Sequence, residues 1–189
     1  MKAVRRHFFV LPELLTMAAL AALGGVTSSA ISVLRAAVHG VVGSPVGLQF
    51  LAGIHVLWPV LAVGLVRKPG AATVTAAVTG VVELLAGNPH GLFVVLYAAA
   101  AGVGVDLVWM VLGGRHHPVT YMLAGGTGAA ANVLVLKFVF SLSQGGVVGA
   151  ALLVLATTAF VSGMLLAGLL GWSLLKALRR AGIAGTATA

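Results

Sequence analysis

The chain has 189 residues, of which 60% are hydrophobic and 7% charged, with eleven basic and three acidic side chains. A soluble domain carries roughly 25% charged residues to hydrate its exterior, so a water-facing globular fold is excluded, and a mean hydropathy of +1.14 fits an exterior that lies in lipid. The formal charge of +8 does not point to nucleic acid, because the basic residues fall in small groups between long apolar stretches, as they do in membrane-protein loops. Without cysteine there is neither a disulfide nor a thiolate metal site.

A membrane-crossing helix needs roughly 20 apolar residues. Lys2, Arg5 and Arg6 precede an apolar run too long for a signal peptide, which reads as a first span. With turn residues as boundaries, helices are expected near Leu11–Leu34, Pro45–Val66, Ala71–Ala86, Leu92–Leu112, Val119–Leu142 and Val147–Leu178. The third is short for a full span. The turns are Arg67-Lys68-Pro69-Gly70, Gly87-Asn88-Pro89-His90-Gly91, Gly113-Gly114-Arg115-His116-His117-Pro118 and Ser143-Gln144-Gly145-Gly146, with a softer break near His39-Gly40. The expectation is an all-α integral membrane protein, with residues 1–189 forming one six-helix domain. If six spans alternate, Lys2, Arg5, Arg6, Arg67, Lys68, Arg115, Lys176, Arg179 and Arg180 all fall on one side. The positive-inside rule makes that side the cytoplasm, with both termini there, in the plasma membrane.

Four strings of the sequence carry a resemblance: Arg67-Lys68-Pro69-Gly70-Ala71, Glu83-Leu84-Leu85-Ala86-Gly87-Asn88-Pro89, Met122-Leu123-Ala124-Gly125, and the small-residue run from Ser162 to Gly171. In order and spacing they resemble the YkoE family, substrate-binding S components of energy-coupling factor (ECF) vitamin transporters, over roughly Glu13 to Gly182. The resemblance implies a six-helix S-component bundle that captures thiamine or its hydroxymethylpyrimidine precursor from outside. It also implies a transmembrane coupling subunit and two cytoplasmic ATPases as partners, with no cofactor and no enzymatic activity of its own. No G-x-x-x-x-G-K-[ST] phosphate loop occurs in the chain.

An ionisable residue inside a span is a functional candidate, because an unpaired charge there costs at least about 2.5–3.5 kcal/mol on insertion scales. Glu83 sits near the end of helix 3, before the Gly-Asn-Pro turn. Its carboxylate could accept hydrogen bonds from an aminopyrimidine or balance a thiazolium cation; the alternative is an ion pair with Lys137. Asn88 shapes the turn, and its place in the family motif adds a ligand role. Tyr97 and Phe93 could stack on a flat heterocycle, or belong to an interfacial aromatic belt. His55 lies near mid-membrane, and the resemblance puts an aromatic residue near this position. Asn132 follows a run of small residues and either points into a cavity or bridges helices. Asp106 lies deep in helix 4, as a structural charge or the floor of a pocket. Glu13 reads as a solvated helix-end residue. His116 and His117 do not share a helix face and have no third ligand nearby, so no metal site is expected. Ala18, Ala21, Ala22 and Gly25 make one small-residue face on helix 1; by the resemblance this would dock the coupling subunit, and otherwise it is an internal contact.

These features point to an S component for a thiamine-like ligand. The rivals are an S component for a different small vitamin-like compound and a non-transporting structural subunit of a membrane complex.

Overall fold

The structure, a computed structural model, describes residues 9–42, 50–88, 90–144 and 150–182, with the side chains of 35–42, 136, 137, 139–144, 150 and 151 outside that description. Among the described residues the chain forms six helices: α1 (Leu11–Val42), α2 (Ala52–Val66), α3 (Ala71–Leu85), α4 (Phe93–Val111), α5 (Pro118–Gln144) and α6. The last is continuous through Ala150–Ser162, Gly163–Leu169 and Leu170–Arg180, its middle stretch wound as a π-helix. Two ends differ from the expected ones by more than three residues. α1 runs past Leu34 to Val42, and α2 begins at Ala52 rather than Pro45, with residues 45–49 outside the described ones.

Leu11–Leu34, Phe93–Val111 and Leu152–Arg180 are each long and apolar enough to cross a bilayer. α2 and α3 have 15 residues each, about 22 Å at 1.5 Å per residue, short of the roughly 30 Å hydrocarbon core.

α3 shows how the sequence chooses its faces. Ala72, Thr75, Ala76, Thr79, Gly80 and Glu83 are buried, whereas Val74, Val78, Val81 and Leu85 are exposed. This inverts the pattern of a soluble helix: small and polar residues turn to neighbouring helices, and branched apolar ones turn outward, where lipid is as apolar as they are. α2 is enclosed by the others. Its Val56, Leu57, Val60 and Leu61 pack with Val105 and Trp109 of α4, Tyr121, Ala124 and Ala129 of α5, and Ala159, Ala167 and Leu175 of α6.

Glycine sets the closest crossings. A Cβ on Gly163 of α6 would overlap the backbone of Gly125 on α5, and one on Gly102 of α4 would lie 2.6 Å from the Thr73 Cα of α3. The second crossing carries Asp106, one turn further along α4, to the beginning of α3. Its Oδ2 accepts from the Thr73 amide at 2.8 Å and the Thr73 hydroxyl at 2.6 Å, and Oδ1 accepts from the Ala72 amide at 3.4 Å. The cap position of α3 is Gly70, which has no side chain to offer. Asp106 therefore caps α3 from another helix, satisfying orphan first-turn amides and meeting the positive end of the helix dipole. α2 is treated alike: Leu51 caps nothing, and the Gly53 amide donates to Ser162 Oγ of α6 at 2.9 Å. The Ser162 hydroxyl donates in turn to the Phe50 carbonyl.

Asp106 is 5% exposed, so removing it strands buried amides. Asp106→Ala should lower the stability of the purified protein by at least about 2 kcal/mol, the cost of leaving such donors unpaired. Thermal melting in detergent measures it, and an unchanged melting temperature would remove the clamp from this account.

Candidate functional site

All the basic residues whose side chains are described, Arg67, Lys68, Arg115, Lys176, Arg179 and Arg180, lie at the end of the bundle where α2, α4 and α6 finish. The opposite end holds the α3–α4 turn, and below that turn is a cavity. Ser32 of α1, His55 and Pro59 of α2, Ala76, Thr79 and Glu83 of α3, His90 of the turn, Tyr97, Ala98 and Ala101 of α4, and Asn132 of α5 line it.

The turn positions the carboxylate. The amide of Asn88 donates to the Glu83 carbonyl at 3.1 Å and that of Gly87 to the Leu84 carbonyl at 3.1 Å. Gly87 has φ +81°. This is a Schellman end, whose left-handed residue is a glycine because a Cβ there is strained. The motif folds its last residue back over the helix, bringing Asn88 beside Glu83. Asn88 Nδ2 then donates to Glu83 Oε2 at 3.0 Å, and Asn88 Oδ1 accepts from the His90 amide at 3.0 Å. Glu83, 3% exposed, is thus held by the neutral amide of Asn88. The turn also brings His90 to the cavity, its ring edge-on to Tyr97 with centroids 5.7 Å apart.

Deeper in, Asn132 Nδ2 donates to the Tyr97 carbonyl at 3.3 Å, tying α5 to α4. One amide N–H and the carbonyl oxygen of Asn132 remain as its other polar groups. Pro59 has no N–H, so the carbonyl of His55, four residues earlier, receives no bond from position 59; both residues line the cavity. Ala76, Ala98 and Ala101 keep the floor small.

The structure thus brings together Glu83, His55, Tyr97 and Asn132 of the six expected ligand residues. Asn88 stands behind Glu83 and holds it. Phe93 is 54% exposed at the start of α4 and is not part of the lining, which corrects its assignment to the site. The lining residues His90 and Thr79 were missed, although Thr79 lies one turn before Glu83 and shares its helix face. The Lys137 side chain lies outside the described residues. Asp106 is away from the lining, in its α3 contacts. Glu13 is not a solvated end residue: it accepts from Lys68 Nζ at 2.7 Å and from the Val10 amide at 2.9 Å.

The helix 1 face is also corrected. Ala18 and Ala22 are exposed, but Ala21 and Gly25 are buried, Gly25 against Val82 and Thr79 of α3. Four residues spaced by three and four span an arc wide enough to straddle the boundary between inside and outside of the bundle.

At the basic end, Arg179 Nη2 donates to His116 Nδ1 at 2.8 Å, and Tyr121 Oη is 2.5 Å from the same nitrogen. Burial, then Arg179 and Arg67, push the His116 pKa down to about 4, keeping the ring neutral and able to accept. His117 Nδ1 accepts from the Val119 amide at 3.3 Å, at the start of α5. Among the described residues no three of His, Asp and Glu gather to hold a metal ion.

Comparison with known proteins supports this architecture. Residues 12–132 match the family model described as "ABC-type cobalt transport system, permease component". The Bacillus subtilis (strain 168) protein named "Putative HMP/thiamine permease protein YkoE" is 30% identical over 142 residues, 74% of this chain and 69% of the relative. A crystal structure of an S component of an ECF transporter superposes with a TM-score of 0.83 at 27% identity, covering 93% of this chain and 88% of that one. The chain belongs to the family of ABC-type cobalt transport permease components, is a relative of YkoE, and is a membrane-embedded, non-enzymatic S component of an ECF transporter.

Proposed function

We propose that this S component captures thiamine or hydroxymethylpyrimidine in the cavity under the α3–α4 turn. The observation that carries the reading is the buried Glu83 carboxylate, held by Asn88 in a cavity with His55, His90, Tyr97 and Asn132. An aminopyrimidine presents donors from its exocyclic amine beside a ring nitrogen, and thiamine adds a cation; a fixed carboxylate complements either. The Tyr97 and His90 rings suit a flat heterocycle. The name of the Bacillus relative supports the same ligand class.

The cavity measures about 50 Å³, room for only a few waters and less than the roughly 300 Å³ of a usual ligand pocket. Ligand entry in this reading parts the helix ends around the α3–α4 turn. Cobalt, the cargo in the family description, fits the cavity less well, since its histidines and glutamate do not converge.

Glu83→Gln keeps the size and removes the charge. Affinity for thiamine or hydroxymethylpyrimidine should fall roughly ten- to hundredfold, the loss of a charge-assisted bond worth about 1.5–3 kcal/mol. Titration calorimetry on wild type and variant measures this; wild-type affinity in the variant, or tight Co²⁺ binding without either organic compound, would sink the assignment.

We further propose that the basic end faces the cytoplasm, with both termini there. The chain has no cysteine, so single cysteines at Lys68 and Arg115 should react only with reagent on the cytoplasmic side, and one at His90 only from outside. Labelling of Lys68→Cys from outside would reverse the orientation.

The exposed part of the small-residue face, Ala18 and Ala22, is proposed to meet the coupling subunit, which works with two cytoplasmic ATPases. Ala22→Trp should abolish co-purification with the coupling subunit while ligand affinity and melting temperature stay at wild-type values. Gly25→Trp should instead lower the melting temperature, because Val82 fills that space. Intact assembly in Ala22→Trp would move the docking surface elsewhere.

A further inference from the structure

Apart from the cavity under the α3–α4 turn, the basic end contains a second depression. It measures about 400 Å³ and is lined by His116, Tyr121, Trp172, Leu175, Lys176, Arg179 and Arg180. Its size falls within the range of small-molecule sites, and no carboxylate lines it. The chain has only three acids, and each is engaged elsewhere: Glu13 with Lys68, Asp106 at the start of α3, Glu83 under the α3–α4 turn.

Three cations therefore border the groove without an acidic partner in its lining, and Arg67 is close enough to act on His116. Their arrangement is ordered. Arg179 donates to the neutral His116 ring, which is packed edge-on against Trp109 at 5.4 Å between centroids and stacked on Tyr121 at 6.0 Å. Lys176 Nζ stands 5.0 Å from the Trp172 ring centroid, a cation–π contact that keeps the ammonium at the groove wall. The half-buried Trp172 ring gives the groove an apolar wall, and the buried Leu175 gives it an apolar floor against the core. Leu169, three residues before Trp172 and so one turn deeper, is 40% exposed.

A phosphate with apolar chains attached matches every part of this surface. The anion meets Lys176, Arg179 and Arg180, an indole lies at the level of the headgroups, and leucines continue into the hydrocarbon. Basic pockets at the membrane interface between helices bind anionic lipid headgroups on the same grounds. We propose that this groove is a binding site for the phosphate headgroup of an anionic phospholipid, with an acyl chain lying along α6 past Leu169.

The test uses the full chain in detergent micelles, doped with phosphatidylglycerol or phosphatidylcholine carrying brominated acyl chains, which quench nearby tryptophan. Phosphatidylglycerol should quench at about a tenfold lower mole fraction than phosphatidylcholine. Trp172→Phe should remove that component, since of the other two tryptophans Trp109 is buried and the half-buried Trp58 lies in α2 beside Gly24 of α1, outside the groove lining. Lys176 and Arg180 are exposed, and the double variant Lys176→Gln/Arg180→Gln removes two charges; because Lys176 also touches Trp172, the variant's quenching is read as a fraction of its own lipid-free fluorescence. At about 1 kcal/mol, or roughly fivefold, per cation near a membrane surface, losing two cations is enough to remove the tenfold preference, so phosphatidylglycerol should quench the variant no better than phosphatidylcholine. Equal quenching by the two lipids would overturn the proposal. So would displacement of brominated phosphatidylglycerol by equimolar inorganic phosphate, which would make the groove a site for free phosphate. Retention of lipid preference in the double variant, with loss of coupling-subunit co-purification, would assign the groove to a protein partner instead.

Discussion

A helix that ends within or near hydrocarbon has no water to satisfy its terminal amides, and this constraint shapes the bundle. α2 and α3 are both short, and neither carries a side-chain cap of its own. Each is capped from another helix, α3 by Asp106 of α4 and α2 by Ser162 of α6. Such caps require close backbone approach, which Gly102 provides where α4 crosses α3. The caps join helices distant in sequence and fix the start of α3. With that start fixed, the helix repeat carries Ala76, Thr79 and Glu83 to the cavity at the other end.

The cavity gathers its polar groups near one turn. A Schellman end usually sets an apolar contact between its outermost positions. Here those positions are Glu83 and Asn88, and the contact is a hydrogen bond. A turn signal thus becomes a device for holding a carboxylate in a largely apolar protein. Among the described residues its partner is the neutral amide of Asn88 rather than a cation.

Charge is distributed with equal consequence. Among the described side chains, every lysine and arginine sits at the far end from the cavity. The two ends offer opposite chemistry: a carboxylate in an enclosed site at one, and an open basic groove with an indole wall at the other. An organic cation or amine suits the first, and a phosphate at the membrane surface suits the second.

Sequence alone determined the helical membrane fold, since seven charged residues in a hundred cannot hydrate a surface. It also determined the family, through the strings around Arg67 and Glu83, and most of the cavity's polar residues, because a carboxylate in a span is conspicuous. Tertiary structure decided which faces those residues occupy. Phe93 and Tyr97 are one turn apart, yet only Tyr97 reaches the cavity, because the start of α4 is exposed where Phe93 sits. Ala21 and Ala22 are neighbours, yet one packs on α3 and the other faces outward. Asp106 reads in sequence as either a structural charge or a pocket floor, and its partners, Ala72 and Thr73, are more than thirty residues away. The physical reason is common to all three. Helical spacing fixes the angles between side chains on one helix, but which of those angles points inward depends on where the other helices lie.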